Sequence, residues 1–302
     1  MSAGALLAGY GADLVLGDPR RLHPVAGFGS LAARAERAAY APTRSRGALV
    51  TAGLVAGATA AAELAARRAS RPAALAATLW IALGGRSLRR ESLRVAGLID
   101  GGRLPEARAS LRSLCGRDAS DMEPGGLCRA VVESLAENTS DAVVGALVWG
   151  AAGGAPGVAA YRAVNTLDAM FGRRSERYAE FGWAAARLDD LMNWPAARLS
   201  AFIAALAAPL VGGSPARTLR TVRRDGARHP SPNAGRIEAA FAGALDVRLG
   251  GTLAYEGRVE HRPHLGEGRR PDSGDIRRAA RLSLAVGTLA ATASAVARGA
   301  RR

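Results

Sequence analysis

Carboxylates at Glu133, Glu137 and Asp141 recur every four residues within 131–170, with Asn138 beside them. On a helix this spacing puts all three on one face. Like charges at that spacing repel, so a cation must meet the face or water must cover it. Twenty residues without a charge follow, 142–161, and then Arg162, Asn165 and Asp168 recur at intervals of three. Other polar groups punctuate the chain. Asp13 and Asp18 precede His23-Pro24; Asp189, Asp190 and Asn193 precede Trp194-Pro195, with Arg198 beyond. Asp225 precedes His229-Pro230-Ser231-Pro232-Asn233, and Glu238 lies on the following segment. Carboxylates with amides suit Mg²⁺, which takes one or two protein carboxylates and fills its shell with water and substrate phosphate. Arginine forks suit phosphate and carboxylate groups. Taken singly, each group is more often a solvated or salt-bridged face, and Asp18 serves equally well as a helix cap. Together they fit chemistry on anionic, phosphate-bearing molecules beside a membrane.

Several mechanisms are excluded. All 41 basic residues are Arg, so no P-loop lysine and no lysine Schiff base exist. There is no Ser-His-Asp order, no HExxH and no CxxC pair. Cys115 and Cys128 suggest neither a disulfide framework nor a zinc site. A net charge of +15 fits nucleic acid, an anionic membrane surface or anionic substrates, but aromatic residues at 5% are poor for stacking bases. The apolar start has no basic residue before it and is interrupted by Asp13, unlike a cleaved signal peptide.

The elements that must position these groups are helical. Uncharged runs occupy 47–62, 72–85, 142–161, 199–216 and 282–297. A membrane span takes ~20 apolar residues, and the shorter runs reach that length only with snorkelling arginines. Five such runs separated by Arg-rich loops favour a membrane over a soluble bundle of Ala-rich helices. Between them, 86–99, 104–114, 127–140, 174–193, 217–229 and 236–245 read as helices, with Trp194-Pro195 ending or kinking the fourth. Residues 116–126 read as a loop and 252–255 as a brief strand. The expectation is an all-α, polytopic helical membrane protein with long amphipathic segments between four or five apolar runs. Residues 1–302 form one integral domain, with 252–281 a flexible Arg/Gly/Pro-rich loop before the last apolar helix. Gly153, Gly154, Pro156 and Gly157 inside one run predict a re-entrant pair of half-helices, and Pro209, Gly212 and Gly213 raise the same option in another.

Five motifs carry a resemblance. DLVLGDPRRLHPV, VVESLAENTSDAVV, APGVAAYRAVNTLDAM, ARLDDLMNWPAARL and HPSPNAGRIEAAFAGAL, in this order, resemble the adenosylcobinamide-phosphate synthases of cobalamin biosynthesis (CobD/CbiB). The likeness runs from about Asp13 to Gly251; the tail matches weakly and carries no functional residue over. The resemblance implies a multi-pass protein of the cell membrane. Its activity would be an ATP-using ligase joining aminopropanol, or its phosphate, to a propionate of adenosylcobyric acid as an amide. It implies ATP and Mg²⁺ as cofactors, the lipid bilayer and other corrinoid-assembly enzymes as partners, and no nucleic acid. A carboxylate lacks a leaving group, which phosphorylation by ATP supplies before the amine attacks.

In that reading Glu133, Glu137, Asn138 and Asp141 form the catalytic face, with Glu137 and Asp141 on Mg²⁺. His23 or His229 takes the ammonium proton. Arg162 and Arg198 meet phosphate or propionate oxygens, and Asp189, Asp190 and Asn193 form a second cation or amine site. Asp13, Asp18, Asn165, Asp168, Asp225, Ser231, Asn233 and Glu238 complete the substrate-binding set. The competing expectations are a transporter of an anionic corrinoid or metabolite, and a soluble nucleic-acid binder.

Overall fold

A computed structural model describes residues 2–19, 23–172, 175–255 and 258–300. Arg20, Arg21 and Leu22 of the first motif, and Arg174, lie outside the described residues. The described chain is helical apart from one two-stranded sheet. Four helical segments are long and apolar enough to cross a membrane: Arg44–Arg68, Pro124–Phe171, Trp183–Val211 and Ser273–Gly299. The 72–85 run falls in a helix of 12 residues, Arg71–Ala82, too short to span.

The chain packs as two compact units. The first comprises Met1–Gly84, Asp141–Pro195 and Ala291–Arg302. It holds α1 (Ser2–Leu16), α2 (Pro24–Ala39), α3 (Arg44–Arg68) and α4 (Arg71–Ala82). Gly9 lets α1 approach α4, since a Cβ there would lie 2.7 Å from the Leu79 Cβ. Buried Phe171 and Phe181 pack with Ala32, Leu167 and Ala185. Helix α3 is different: only 6% of its apolar window is buried. So bare an apolar helix is stable where lipid, not water, covers it.

The second unit comprises Gly85–Ser140 and Ala196–Ala290. It holds α5 (Gly85–Asp100), α6 (Leu104–Leu111) and α7 (Pro124–Asn138). A π turn at Thr139–Val144 follows and leads into α8 (Gly145–Phe171) of the first unit. Helix α9 (Trp183–Ala207) continues past Pro195, where a helix end was an option, and closes in a 3₁₀ turn, Ala208–Val211. The exposed face of α9 bears Trp194 and Leu191, and the Trp149 Nε1 donates to the Met192 carbonyl at 2.9 Å.

Then come α10 (Pro215–Asp225), α11 (Ala234–Leu245), β1 (Leu249–Tyr255), β2 (Arg258–Leu265) and α12 (Ser273–Gly299). Helix α11 is buried along its length except at Arg236. Residues 252–281, expected as a loop, instead contain most of an antiparallel hairpin and the start of α12. Arg278 in α12 donates to the Val211 and Leu245 carbonyls, closing the ends of the 3₁₀ turn and α11.

The run 142–161 doubles back on itself. Gly154 sits at φ 66°, ψ −151°, a conformation open essentially only to glycine. A Cβ on Gly145 would lie 2.1 Å from the Tyr161 hydroxyl, and one on Gly157 would lie 2.4 Å from the Trp149 carbonyl oxygen. In a straight helix, residues sixteen apart are about 24 Å apart. Helix α8 is therefore two antiparallel arms about Gly154, as the Gly/Pro spacing predicted. Arg298 donates to the Gly150 and Ala151 carbonyls at 3.0 and 2.8 Å, replacing the intrahelical bonds that the break removes.

Candidate functional site

In the second unit α7 presents Arg129, Glu133 and Glu137 at successive steps of four. Glu133 is buried. Its Oε2 stands 2.5 Å from Nη1 of Arg117, and its Oε1 accepts from the Gly250 amide at 2.6 Å. The cation demanded by the carboxylate stripe is thus Arg117, from the loop before α7. Arg129 donates to the Gly250 and Thr252 carbonyls at 2.6 and 2.8 Å, so α7 holds the hairpin from two sides. Glu137 is exposed and takes no hydrogen bond or ion pair among the described residues, although it lies in the fields of Arg117, Arg262 and Glu133.

Helix α11 brings Glu238 to the same place, 2% exposed. Burial, then the charges of Glu133 and Glu137, push its carboxyl well above the usual range. Its Oε1 is 4.0 Å from Nε2 of His229. The Ser231 amide donates to Nδ1 of His229 at 3.0 Å. Burial and the nearby Arg262 guanidinium, 3.2 Å from Nε2, hold the imidazole below its ordinary value, so the ring is neutral. The Pro-Ser-Pro turn sets this up: the Ser231 hydroxyl accepts from the Ala234 amide at 3.1 Å, starting α11. Gly235 makes room, since a Cβ there would lie 2.3 Å from the His229 Cβ. Asn233 accepts from Arg198 at 2.9 Å. Asp225 anchors the hairpin's end, taking both Arg224 nitrogens and the Gly266 amide. Arg224 holds that carboxyl below the usual range.

A second cluster lies in the first unit. Arg162 donates to Asn165 at 2.7 Å, and Asn165 to Asp189 at 3.4 Å. Asn193 donates to the other Asp189 oxygen at 2.8 Å. The Tyr161 hydroxyl faces two acceptors, Asn193 Oδ1 at 2.5 Å and the Asp141 carbonyl at 2.7 Å. Asp18 and Asp141 also act on the Arg162 charge. The structure therefore links Arg162, Asn165, Asp189 and Asn193 through Tyr161 to the backbone beside Asp141.

Other candidates sit elsewhere. His23 accepts from the Val25 amide at 3.2 Å as the cap of α2. Asp13 is buried on α1, and the Asp168 side chain folds over Gly172, 1.8 Å from where a Cβ would stand. Asp190 is half-buried on α9, and Asn138 donates to the Ser134 carbonyl at 2.9 Å. Asp141 leaves the Glu133–Glu137 stripe, because the π turn breaks the four-residue register at Thr139. Arg117, Arg262 and the Glu238–His229 pairing were not singled out from spacing; the motif signal that marked His229 and Glu238 says nothing of the partners.

Among the described residues no three His, Cys, Asp or Glu side chains are grouped to hold a metal. The open carboxylate of Glu137 is the one side chain of this cluster that would be available to a Mg²⁺ ion arriving with substrate phosphate. With Lys absent, ATP phosphates fit only Arg, backbone amides or that metal.

A family model described as CobD/Cbib protein matches residues 6–283. The chain is 49% identical over 284 residues to "Cobalamin biosynthesis protein CobD" of Mycobacterium tuberculosis, covering 93% of this chain and 91% of the relative. It is 43% identical to the protein of the same name from Geobacter metallireducens, covering 86% and 85%. With that of Rhodobacter capsulatus it shares 40%, covering 89% and 88%. No solved structure matches. With a family model spanning nearly its whole length and relatives this similar end to end, the chain belongs to the CobD/Cbib family.

Proposed function

We propose that this chain acts in cobalamin biosynthesis as an acid–amine ligase of a membrane. It joins aminopropanol or aminopropanol phosphate to a propionate carboxylate of adenosylcobyric acid. The observation that carries the reading is the contrast on α7: Glu133 is consumed by Arg117 and the hairpin, while Glu137 is open within the same charged cluster. Bound ATP with Mg²⁺ supplies the phosphoryl group that turns the propionate into an acyl donor. Glu137 would hold the cation that accompanies the phosphate. Arg117 and Arg262 balance negative charge as it develops. Glu238, its carboxyl raised by burial, and His229, its imidazole lowered by burial and Arg262, face the same space with little charge of their own.

One observation favours a second reading, a carrier for an anionic corrinoid or metabolite: α8 is broken at Gly154 inside its apolar run, a transporter trait. The two separate cleanly. Purified protein given ATP, Mg²⁺, adenosylcobyric acid and aminopropanol phosphate should raise the corrinoid mass by that of the amine less one water, and only with ATP. Corrinoid flux into liposomes without ATP, and no mass gain, would support the carrier instead.

A further inference from the structure

The hairpin builds a feature that the carboxylate cluster does not use. A cavity of about 430 Å³ opens against it, walled by Arg129, Arg262, Arg270, His261 and His264. A neighbouring space of about 360 Å³ shares Arg129, Arg270 and His264 and adds Arg248. Four arginines thus face these spaces against one carboxylate, Glu123. Both volumes fall in the range of small-molecule sites.

Two of the arginines have nothing else to do. The bridge pairing Val247 with Arg269 runs two segments side by side, so Arg248 and Arg270 follow it together. Both side chains are exposed, and neither guanidinium makes a hydrogen bond or ion pair among the described residues. Arg129, anchored on the Gly250 and Thr252 carbonyls, keeps a buried Nε without an acceptor. Gathering like charges around a hollow costs free energy that a bound anion offsets. The floor is held open by Gly251, at φ 88°, where a Cβ would lie 2.8 Å from His264 and 3.1 Å from Arg129. The cavity also touches the carboxylate cluster twice. Gly250 gives its amide to Glu133 and its carbonyl to Arg129, and Arg262 reaches His229.

We infer that this cavity is a phosphate-binding site, which seats the phosphate group of a substrate so that the rest of that molecule points to Glu137. Its placement in the reaction rests on the ligase reading; the binding itself does not. The ligand chemistry is a phosphate dianion or a polyphosphate chain, recognised by paired guanidinium forks.

The test uses the full-length protein in neutral detergent, with titration calorimetry against methyl phosphate and against tripolyphosphate at fixed ionic strength. Saturable binding is expected, weakened about tenfold or more in the Arg248→Gln/Arg270→Gln double variant. Both positions are exposed, so the thermal unfolding midpoint should stay put. Tighter tripolyphosphate binding assigns the site to a nucleotide's phosphate chain, and tighter methyl phosphate binding to a phosphomonoester. Wild-type affinity in the double variant, or no more binding than with chloride, would overturn the inference. No amide synthesis by the unsubstituted protein, with its phosphate binding intact, would count against the ligase reading alone.

Discussion

Glu133 and Glu137 lie one turn apart on α7 and have opposite fates. Glu133 is a bolt: its charge is spent on Arg117 and on the Gly250 amide. Glu137 is left open to whatever enters. Their spacing of four was legible in the sequence, and so was the need for a cation. The identity of that cation was not, because Arg117 comes from an irregular loop whose path no periodicity encodes. Arg262 was hidden for a related reason: it pairs across the fold with His229, 33 residues away. Glu238 supports a prediction at this scale. Its folded-state carboxyl titrates well above the ordinary value of about 4.3, so folding takes up a proton between those limits. The stability it contributes is full below the ordinary carboxylate range and is lost as pH rises through the raised value. Glu238→Gln should remove that decline while leaving stability near pH 5 little changed. Thermal unfolding in detergent from pH 5 to 8 measures it, and curves parallel to the wild type would contradict the assignment. His229 acts with the opposite sign: its contribution is lost as pH falls below about 6.5.

At the scale of elements, the fold was partly written in residue types. Gly153, Gly154, Pro156 and Gly157 marked the break in α8, because a positive φ and a missing amide are properties of glycine and proline themselves. The π turn at Thr139–Val144 was not legible, since it is a choice of hydrogen-bond partner that ordinary side chains do not announce. It removes Asp141 from the Glu133–Glu137 stripe, and with it the expectation of three carboxylates on one face. The β2 strand was masked by its own composition: Arg, His and Pro between weakly alternating Val259 and Leu265 read as loop. The α8 hairpin is directly measurable. Spin labels at Ala142 and Thr166 would be about 36 Å apart on a straight helix, but two packed arms bring them within ~20 Å. The hairpin predicts the short distance, and Gly154→Ala should broaden or lengthen it, because alanine is strained at φ 66° by about 1–3 kcal/mol. A single distance near the straight-helix value in the wild type would refute the fold-back.

At the scale of the whole molecule, five apolar runs became four helices of membrane length, with the fifth run confined to the short α4. Almost bare α3 makes the case for lipid more strongly than composition did, because burial, unlike hydropathy, separates a lipid-facing helix from a core helix. Charged groups kept beside such helices are costly unless they are paired or used. On α7 the buried Glu133 is paired, and Glu137, among the described residues, makes no hydrogen bond or ion pair. The account therefore turns on the Glu137→Gln variant, assayed for ATP-dependent gain of the amine on adenosylcobyric acid by mass spectrometry, with membrane insertion and phosphate binding followed in parallel. The account predicts wild-type insertion and phosphate binding, and amide formation reduced at least a hundredfold. Near-normal amide formation by Glu137→Gln would contradict it.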